Sequence, residues 1–214
     1  MKKKNKGKKS KNRKSETKTN TNPWESVDIS NISESIENSD RLEQVRISQD
    51  ETFLLLFTSG SIRLSLHWVN DPEFRGFVHC NGEDCLFCRI GNKNMNKLLL
   101  PVYSFDSNAV AVLPISDSMR PHALLPQIAN ILESGKNLRK RLVLISKDRD
   151  HAFTVRTKKL PKDKRDEPIE KIRRFKEGHD AGEIDLTAVF QTMSDYELKQ
   201  LESVRQKLEL LDDE

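Results

Sequence analysis

The chain changes character at Thr52. Before it, apolar residues are scattered singly; after it they come in short runs separated by turns. TFLLLF (52–57) is continuous and apolar, and Thr58-Ser59-Gly60-Ser61 reads as a turn. In IRLSLHWV (62–69), Ile62, Leu64 and Leu66 share one face while Arg63, Ser65 and His67 share the other. That period of two predicts a half-buried strand. Asn70-Asp71-Pro72 ends it. Further on, LLLPVYSF (98–105) and AVAVLPI (109–115) flank the turn Asp106-Ser107-Asn108 and predict a hairpin. RLVLIS (141–146) and FTVRTKKL (153–160) predict a second.

Between the hairpins, residues 116–135 carry Leu124, Leu125, Ile128, Ile131 and Leu132 at helical spacing, with Gly135 as the stop. Some six strands around one helix predict a mainly β, α+β core: a Greek-key barrel of OB-fold type with a metal-binding insertion. At the C-terminal end Ser194 and Glu197 form a capping box. Leu198, Leu201, Val204, Leu208 and Leu211 then run down one stripe, which docks on the chain's own domain or on a partner. The resulting division is a disordered basic arm (1–22), an acidic linker anchored by Trp24 (23–50), and the barrel core (51–160). A mobile charged connector (161–193), helical near Ile169–Phe175, and the amphipathic C-terminal helix (194–214) follow.

Charge sharpens this division. Of the net +4, residues 1–22 supply ten Lys/Arg against Glu16, whereas residues 23–50 hold two Arg and seven acids. Residues 51–182 are basic again (22 against 16) and residues 183–214 acidic (three against nine). A basic arm has too little apolar surface to offset the entropy of ordering itself, and the alternation of blocks is that of a polyanion binder. Hydrophobic residues make up only 35% of the 214, and no apolar run approaches the roughly 18 residues of a membrane span. The expectation is a cytoplasmic protein with no membrane partner.

The three cysteines fall within nine residues, too few and too close for a disulfide framework. His67, Cys80, Cys85 and Cys88 form the strongest local motif. Cys85-x-x-Cys88 aims two thiolates at one ion from a tight turn, and Cys80 lies one loop away. A closed tetrahedral site needs a fourth ligand. His67 is the better candidate and His79 the competitor, since adjacent residues such as His79 and Cys80 point apart along a strand. Three sulfurs and one imidazole favour structural Zn2+ over an iron–sulfur cluster, or over thiols that merely fill a core. A zinc deaminase would need Glu two residues after its His and Pro before its Cys-x-x-Cys. Here Val69 and Asn81 occupy the first place and Asp84 the second. No enzymatic activity is expected.

This motif, with strands before and after it, resembles the single-stranded-DNA-binding (helix-destabilising) proteins of T-even-type bacteriophages. The match is one His, twelve residues, a Cys, and then a Cys-x-x-Cys pair. The departure is the gap between Cys80 and Cys85, four residues here and longer in the family. Lys11-Asn12-Arg13-Lys14-Ser15 is similar to the family's basic-then-hydroxyl motif, and Asp212-Asp213-Glu214 to a reduced form of its acidic tail.

The resemblance implies single-stranded DNA as ligand, in DNA replication, recombination or repair. It also implies cooperative self-association through the basic arm, and recruitment of replication or recombination proteins through the acidic end. On this reading a basic groove with aromatic platforms holds the strand. The candidate platforms are Tyr103, Phe105 and Trp68. The candidate phosphate contacts are Arg63, Arg139, Lys140, Arg141, Lys147, Arg149, Arg156 and Lys158. RNA binding by the same core and a zinc-stabilised protein–protein adaptor are the alternatives.

Overall fold

The computed structural model describes residues 42–57, 60–134 and 137–212. The basic arm, the linker up to residue 41 with Trp24, and Asp213-Glu214 lie outside the described residues.

Seven strands make one antiparallel sheet: β1 (Thr52–Leu56), β2 (Ile62–Asn70), β3 (Arg75–His79), β4 (Asn94–Ser104), β5 (Ala109–Ser116), β6 (Arg141–Lys147) and β7 (Phe153–Lys159). The order is β3-β2-β4-β1-β6-β7, with β5 on the other edge of β4. The long β4 organises it. One edge pairs with β5 from Lys97↔Ser116 to Ser104↔Ala109. The other pairs first with β2 (Asn94↔His67 to Leu99↔Ile62) and then with β1 (Val102↔Leu56 to Ser104↔Leu54). β1 and β2 thus lie end to end along β4, and Gly60, at φ +84°, supplies the left-handed residue that turns one into the other.

Five α-helices accompany the sheet among the described residues: α1 (Leu86–Arg89), α2 (Leu124–Glu133), α3 (Asp166–Asp180), α4 (Asp195–Gln200) and α5 (Glu202–Asp212). On one face of the sheet, Leu54, Leu100, Leu113 and Val143 pack with Leu124 and Ile128 of α2. On the opposite face, Leu66, Leu99 and Val112 pack with Phe175 of α3 and with Leu186 and Phe190. Both faces are buried through most of the sheet, which is why β1 and β4 read as continuous apolar runs rather than alternating ones.

The expected closed barrel is not formed. β5 and β7 share no ladder among the described residues, and α2 packs against both of them instead. Gln127 of α2 bonds the free edge of β7 with both ends of its amide. Its Nε2 donates to the Phe153 carbonyl (2.8 Å), and its Oε1 accepts from the Val155 N–H (3.1 Å). The Phe153 N–H donates to the His122 carbonyl (3.0 Å). Backbone groups that a closing strand would have bonded are therefore satisfied without it.

Four other expectations change. β3 is an additional short strand, held in register by β2 from Leu66↔His79 to Asn70↔Arg75; its Arg-Gly start hides it from a pattern search. The helix over 116–135 begins only at Leu124, because Pro121 biases the residue before it away from helical backbone. The charged connector contains a 15-residue helix, α3. Ile172 and Phe175 bury one side of it, while Glu170 pairs with Arg173 and Arg174 on the other. The C-terminal helix is two, broken at an extended Leu201, with the capping box of Ser194 and Glu197 in place.

Of the two docking alternatives for the C-terminal stripe, the internal one is observed. Leu198, Leu201 and Val204 are buried against Val69, Val78 and Leu86. Buried Asp71 fastens the junction, its Oδ2 accepting from the Ser203 N–H at the start of α5 (2.8 Å) and its Oδ1 from the Glu73 N–H (3.1 Å). Burial alone would raise the pKa of Asp71. The bonds from Ser203 and Glu73, with the nearby Arg205 charge, hold it below the usual carboxylate value.

Candidate metal centre

β2 carries His67 on the face opposite Leu66, and β3 returns the chain so that Cys80 follows its last residue. A short 3-10 turn (Gly82–Asp84) then delivers Cys85 to the N-cap of α1, and Cys88 sits one turn further on. A Cys-x-x-Cys on a four-residue helix places both sulfurs on one side. The four ligand atoms lie within 4.8 Å of one another. His67 Nε2 is 3.5 Å from Cys85 Sγ and 3.4 Å from Cys88 Sγ, and Cys80 Sγ is 3.7 Å from Cys88 Sγ. Together these residues can bind a metal ion.

The surroundings suit that role. His67 is fully buried, its ring tilted against Phe87 at 5.2 Å. Burial lowers its pKa, partly offset by hydrogen bonds at the neighbouring Lys93 and Asn92, which favours the neutral imidazole that metal ligation requires. Its Nδ1, on the far side of the ring, is buried without a hydrogen-bond partner among the described residues. Burial would raise the pKa of the Cys85 thiol, but the backbone around Cys88, Asn81 and Phe87 outweighs it and brings the value below the ordinary one. Desolvation, with the adjacent Cys80 sulfur, pushes Cys88 up to about 11. Four donors this close, three of them thiols that must lose protons to ligate, are costly to hold together unless a cation sits among them. His79 points elsewhere, its Nε2 3.0 Å from the Thr187 carbonyl oxygen.

The nucleic-acid candidates are scattered rather than gathered. Tyr103 is 1% exposed, packed with Leu55 and Leu160 under the end of α3, and its hydroxyl donates to Asn108 Oδ1. It has no open face for a base, which corrects its assignment as a platform; the cause is α3, whose packing was not foreseen. Phe105 is half-buried, edge-on to Tyr103 at 5.1 Å. Trp68 alone among the three is exposed, at 38%.

Arg63 pairs in register with Leu98, on the face of the sheet that α2 covers, whereas Arg156 and Lys158 pair with Leu144 and Leu142 on the opposite face. These cations do not line one groove. Arg156 is engaged by Glu51, and Arg141 donates to Thr157 Oγ1 (3.3 Å). Lys147 sits 5.6 Å from the Phe153 ring. Lys140 and Arg149 are exposed, and the side chain of Arg139 lies outside the described residues.

Lys97 is the residue that sequence reasoning missed. It faces the same side as Trp68, with its Nζ 3.7 Å above the Phe77 ring centroid and 5.6 Å from that of Phe190. Trp68 lies edge-on to the same Phe77 at 4.8 Å. Burial lowers the pKa of Lys97, and among the described residues no carboxylate pairs with it. Its only sequence signal was the alternation Met95, Lys97, Leu99, which continues the strand upstream of the apolar run.

Fold and cluster together define an antiparallel α+β protein with a Cys3His group able to take a metal ion. Comparison with protein-family models, with curated proteins and with solved structures finds no significant match.

Proposed function

We propose that this chain is a non-enzymatic single-stranded-nucleic-acid-binding protein whose metal is a structural zinc ion. The observation that carries the reading is the surface built by Trp68 and Lys97. An exposed indole and an unpaired, partly desolvated ammonium share one aromatic neighbour, Phe77. Stacking on an aromatic ring and attraction of a phosphate are the two terms by which single strands are held without base readout. A lysine kept from water with no acid beside it is costly in the free protein and is relieved when a phosphate arrives.

The zinc assignment is supported by size and donor type. Zn–S and Zn–N bonds of about 2.3 and 2.0 Å imply tetrahedron edges of roughly 3.8 Å between sulfurs and 3.5 Å from nitrogen to sulfur. The three close approaches here are 3.7, 3.5 and 3.4 Å. Zinc bound there supplies no chemistry to a substrate. His67, Cys80, Cys85 and Cys88 would hold it, tying β2 to α1 and so setting the strand that presents Trp68.

The order β5-β4-β1-β6-β7, with a helix between β5 and β6, supports an OB-type core left open at one seam. The phage-family likeness stands as part of this proposal. So does recruitment of replication or recombination proteins by the acidic C-terminal end, where Leu210 and Leu211 are exposed.

The test is a titration of the full chain, carrying Trp24→Phe so that Trp68 alone reports, against oligo-dT, oligo-U and duplex DNA over a range of salt. Quenching of Trp68 by single strands, weakening steeply with salt, is expected. Absence of quenching at low salt, or equal affinity for duplex, overturns the proposal. Preference for oligo-U makes RNA the ligand.

A further inference from the structure

On the opposite side of the sheet from Trp68, the seam where β5 and β7 fail to pair is a groove of about 510 Å³. We infer that it is a nucleotide-phosphate site, separate from the Trp68 surface. Its floor is apolar, formed by Ile115, Leu124 and Phe153. Exposed Arg120, His122 and His151 also line it, with Ser116, Ser118 and one carboxylate, Asp150. The volume lies within the roughly 300–1,000 Å³ typical of small-ligand sites, and an apolar floor with a few convergent polar groups is their usual composition.

Both walls are closed by hydrogen bonds of their own. The β6–β7 turn is closed on itself: Asp148 N–H donates to the Ala152 carbonyl (3.0 Å), and Asp148 Oδ1 accepts from the Ala152 N–H (2.8 Å). Within it His151 is held at φ +64°, a left-handed backbone that a non-glycine residue adopts at some cost. The facing loop is pinned by its Ala123-to-Arg120 turn, and its His122 carbonyl bonds the Phe153 N–H across the groove.

The basic side chains of the rim carry no ion pair. Among the described residues, none of Arg120, His122 and His151 is ion-paired. Arg63 lines an adjoining crevice with Asp117 and Leu125, and Arg149 lies in the β6–β7 turn between Asp148 and Asp150. A planar base fits the apolar floor, and a phosphate carrying one or two charges fits the Arg120–His122–His151 rim through a bidentate guanidinium contact. The phosphate can belong to a free nucleotide or to a residue within a strand.

The experiment uses the full chain, with amide chemical shifts at Ala123 and Ala152 as the local readout. Four probes are titrated: thymidine, inorganic phosphate, dTMP and an eight-residue oligo-dT. Shifts at both alanines with dTMP, at least tenfold weaker with thymidine, support the site, as does the same perturbation by oligo-dT alone, which makes the polymer the source of the phosphate. Arg120→Ala is expected to weaken that binding about tenfold. Ser118→Trp, which fills the groove, is expected to abolish it while the remaining spectrum stays folded. Trp68→Ala is expected to leave dTMP binding unchanged, so failure of the proposed function and failure of this site are separable. Equal binding of thymidine and dTMP, binding of inorganic phosphate alone, no shifts with any probe, or indifference to both groove variants overturns the inference.

Discussion

His67 and Trp68 are consecutive residues of β2 that serve opposite faces of the sheet. His67 turns its Nε2 to within 3.4 Å of Cys88 Sγ, and Trp68 lies edge-on to Phe77 beside Lys97. Strand geometry imposes the division, since successive side chains point to opposite sides. Whatever fixes the imidazole therefore also fixes the backbone from which the indole projects.

Metal removal tests this coupling. Cys85→Ala, or chelation of the wild-type chain, should abolish stoichiometric metal binding and shift Trp68 emission to the red in a Trp24→Phe background. Structural zinc contributes folding free energy directly, so the melting temperature should fall in parallel. Metal analysis with fluorescence on one sample checks both; an unshifted emission after complete metal loss separates the platform from the cluster.

Lys97 separates binding from stability. Lys97→Met keeps the contact with Phe77 and Phe190 and removes a desolvated charge. Its melting temperature should stay level or rise. The slope of log K against log salt for oligo-dT should fall by about one unit, the signature of one lost phosphate contact. Salt titrations of the two proteins decide it.

Tyr103 should behave as a core residue. Tyr103→Ala should cost about 3–5 kcal/mol of stability, as truncation of a buried aromatic does. Tyr103→Phe, which loses only the bond to Asn108, should cost about 1 kcal/mol and leave oligo-dT affinity unchanged. Denaturant melts with binding isotherms distinguish this from a stacking role.

Asp71 makes the C-terminal helices acid-sensitive. Its carboxyl titrates below the usual value in the folded chain, because Ser203 and Glu73 bond the charged form. Its contribution is then fully present above the ordinary carboxylate range and lost as pH falls through the lowered folded value. Asp71→Ala should weaken α4–α5 docking by about 1–3 kcal/mol at neutral pH and remove that component of the acid dependence. Hydrogen exchange at Leu201 and Val204, measured at neutral and acid pH, reads it locally.

Much of this was legible before any fold was known. The runs around Leu54, Leu100, Val112 and Val143 announce strands because a pleated chain buries β-branched and aliphatic residues with period two or in unbroken runs. The metal ligands were legible because a tight turn between Cys85 and Cys88 is a local device. The choice of His67 over His79 followed from strand alternation, and the structure brings His67 to the cluster while giving His79 to Thr187. The capping box at Ser194 was equally local.

What failed depended on partners distant in sequence. Tyr103 alternates as an outward residue should, yet Leu160 and α3, about sixty residues on, cover it. Arg63 and Arg156 look equivalent along their strands, but register sends them to opposite faces. At the β7 edge, Gln127 and the His122 carbonyl take bonds that a closing strand would have made. Local patterns of polarity, turns and caps are thus determined by the chain itself, since each rests on the conformation of a few neighbouring residues. Which face is covered, which cation is left without an acid, and where the sheet stops are decided only when distant segments meet, because burial and electrostatics depend on neighbours in space.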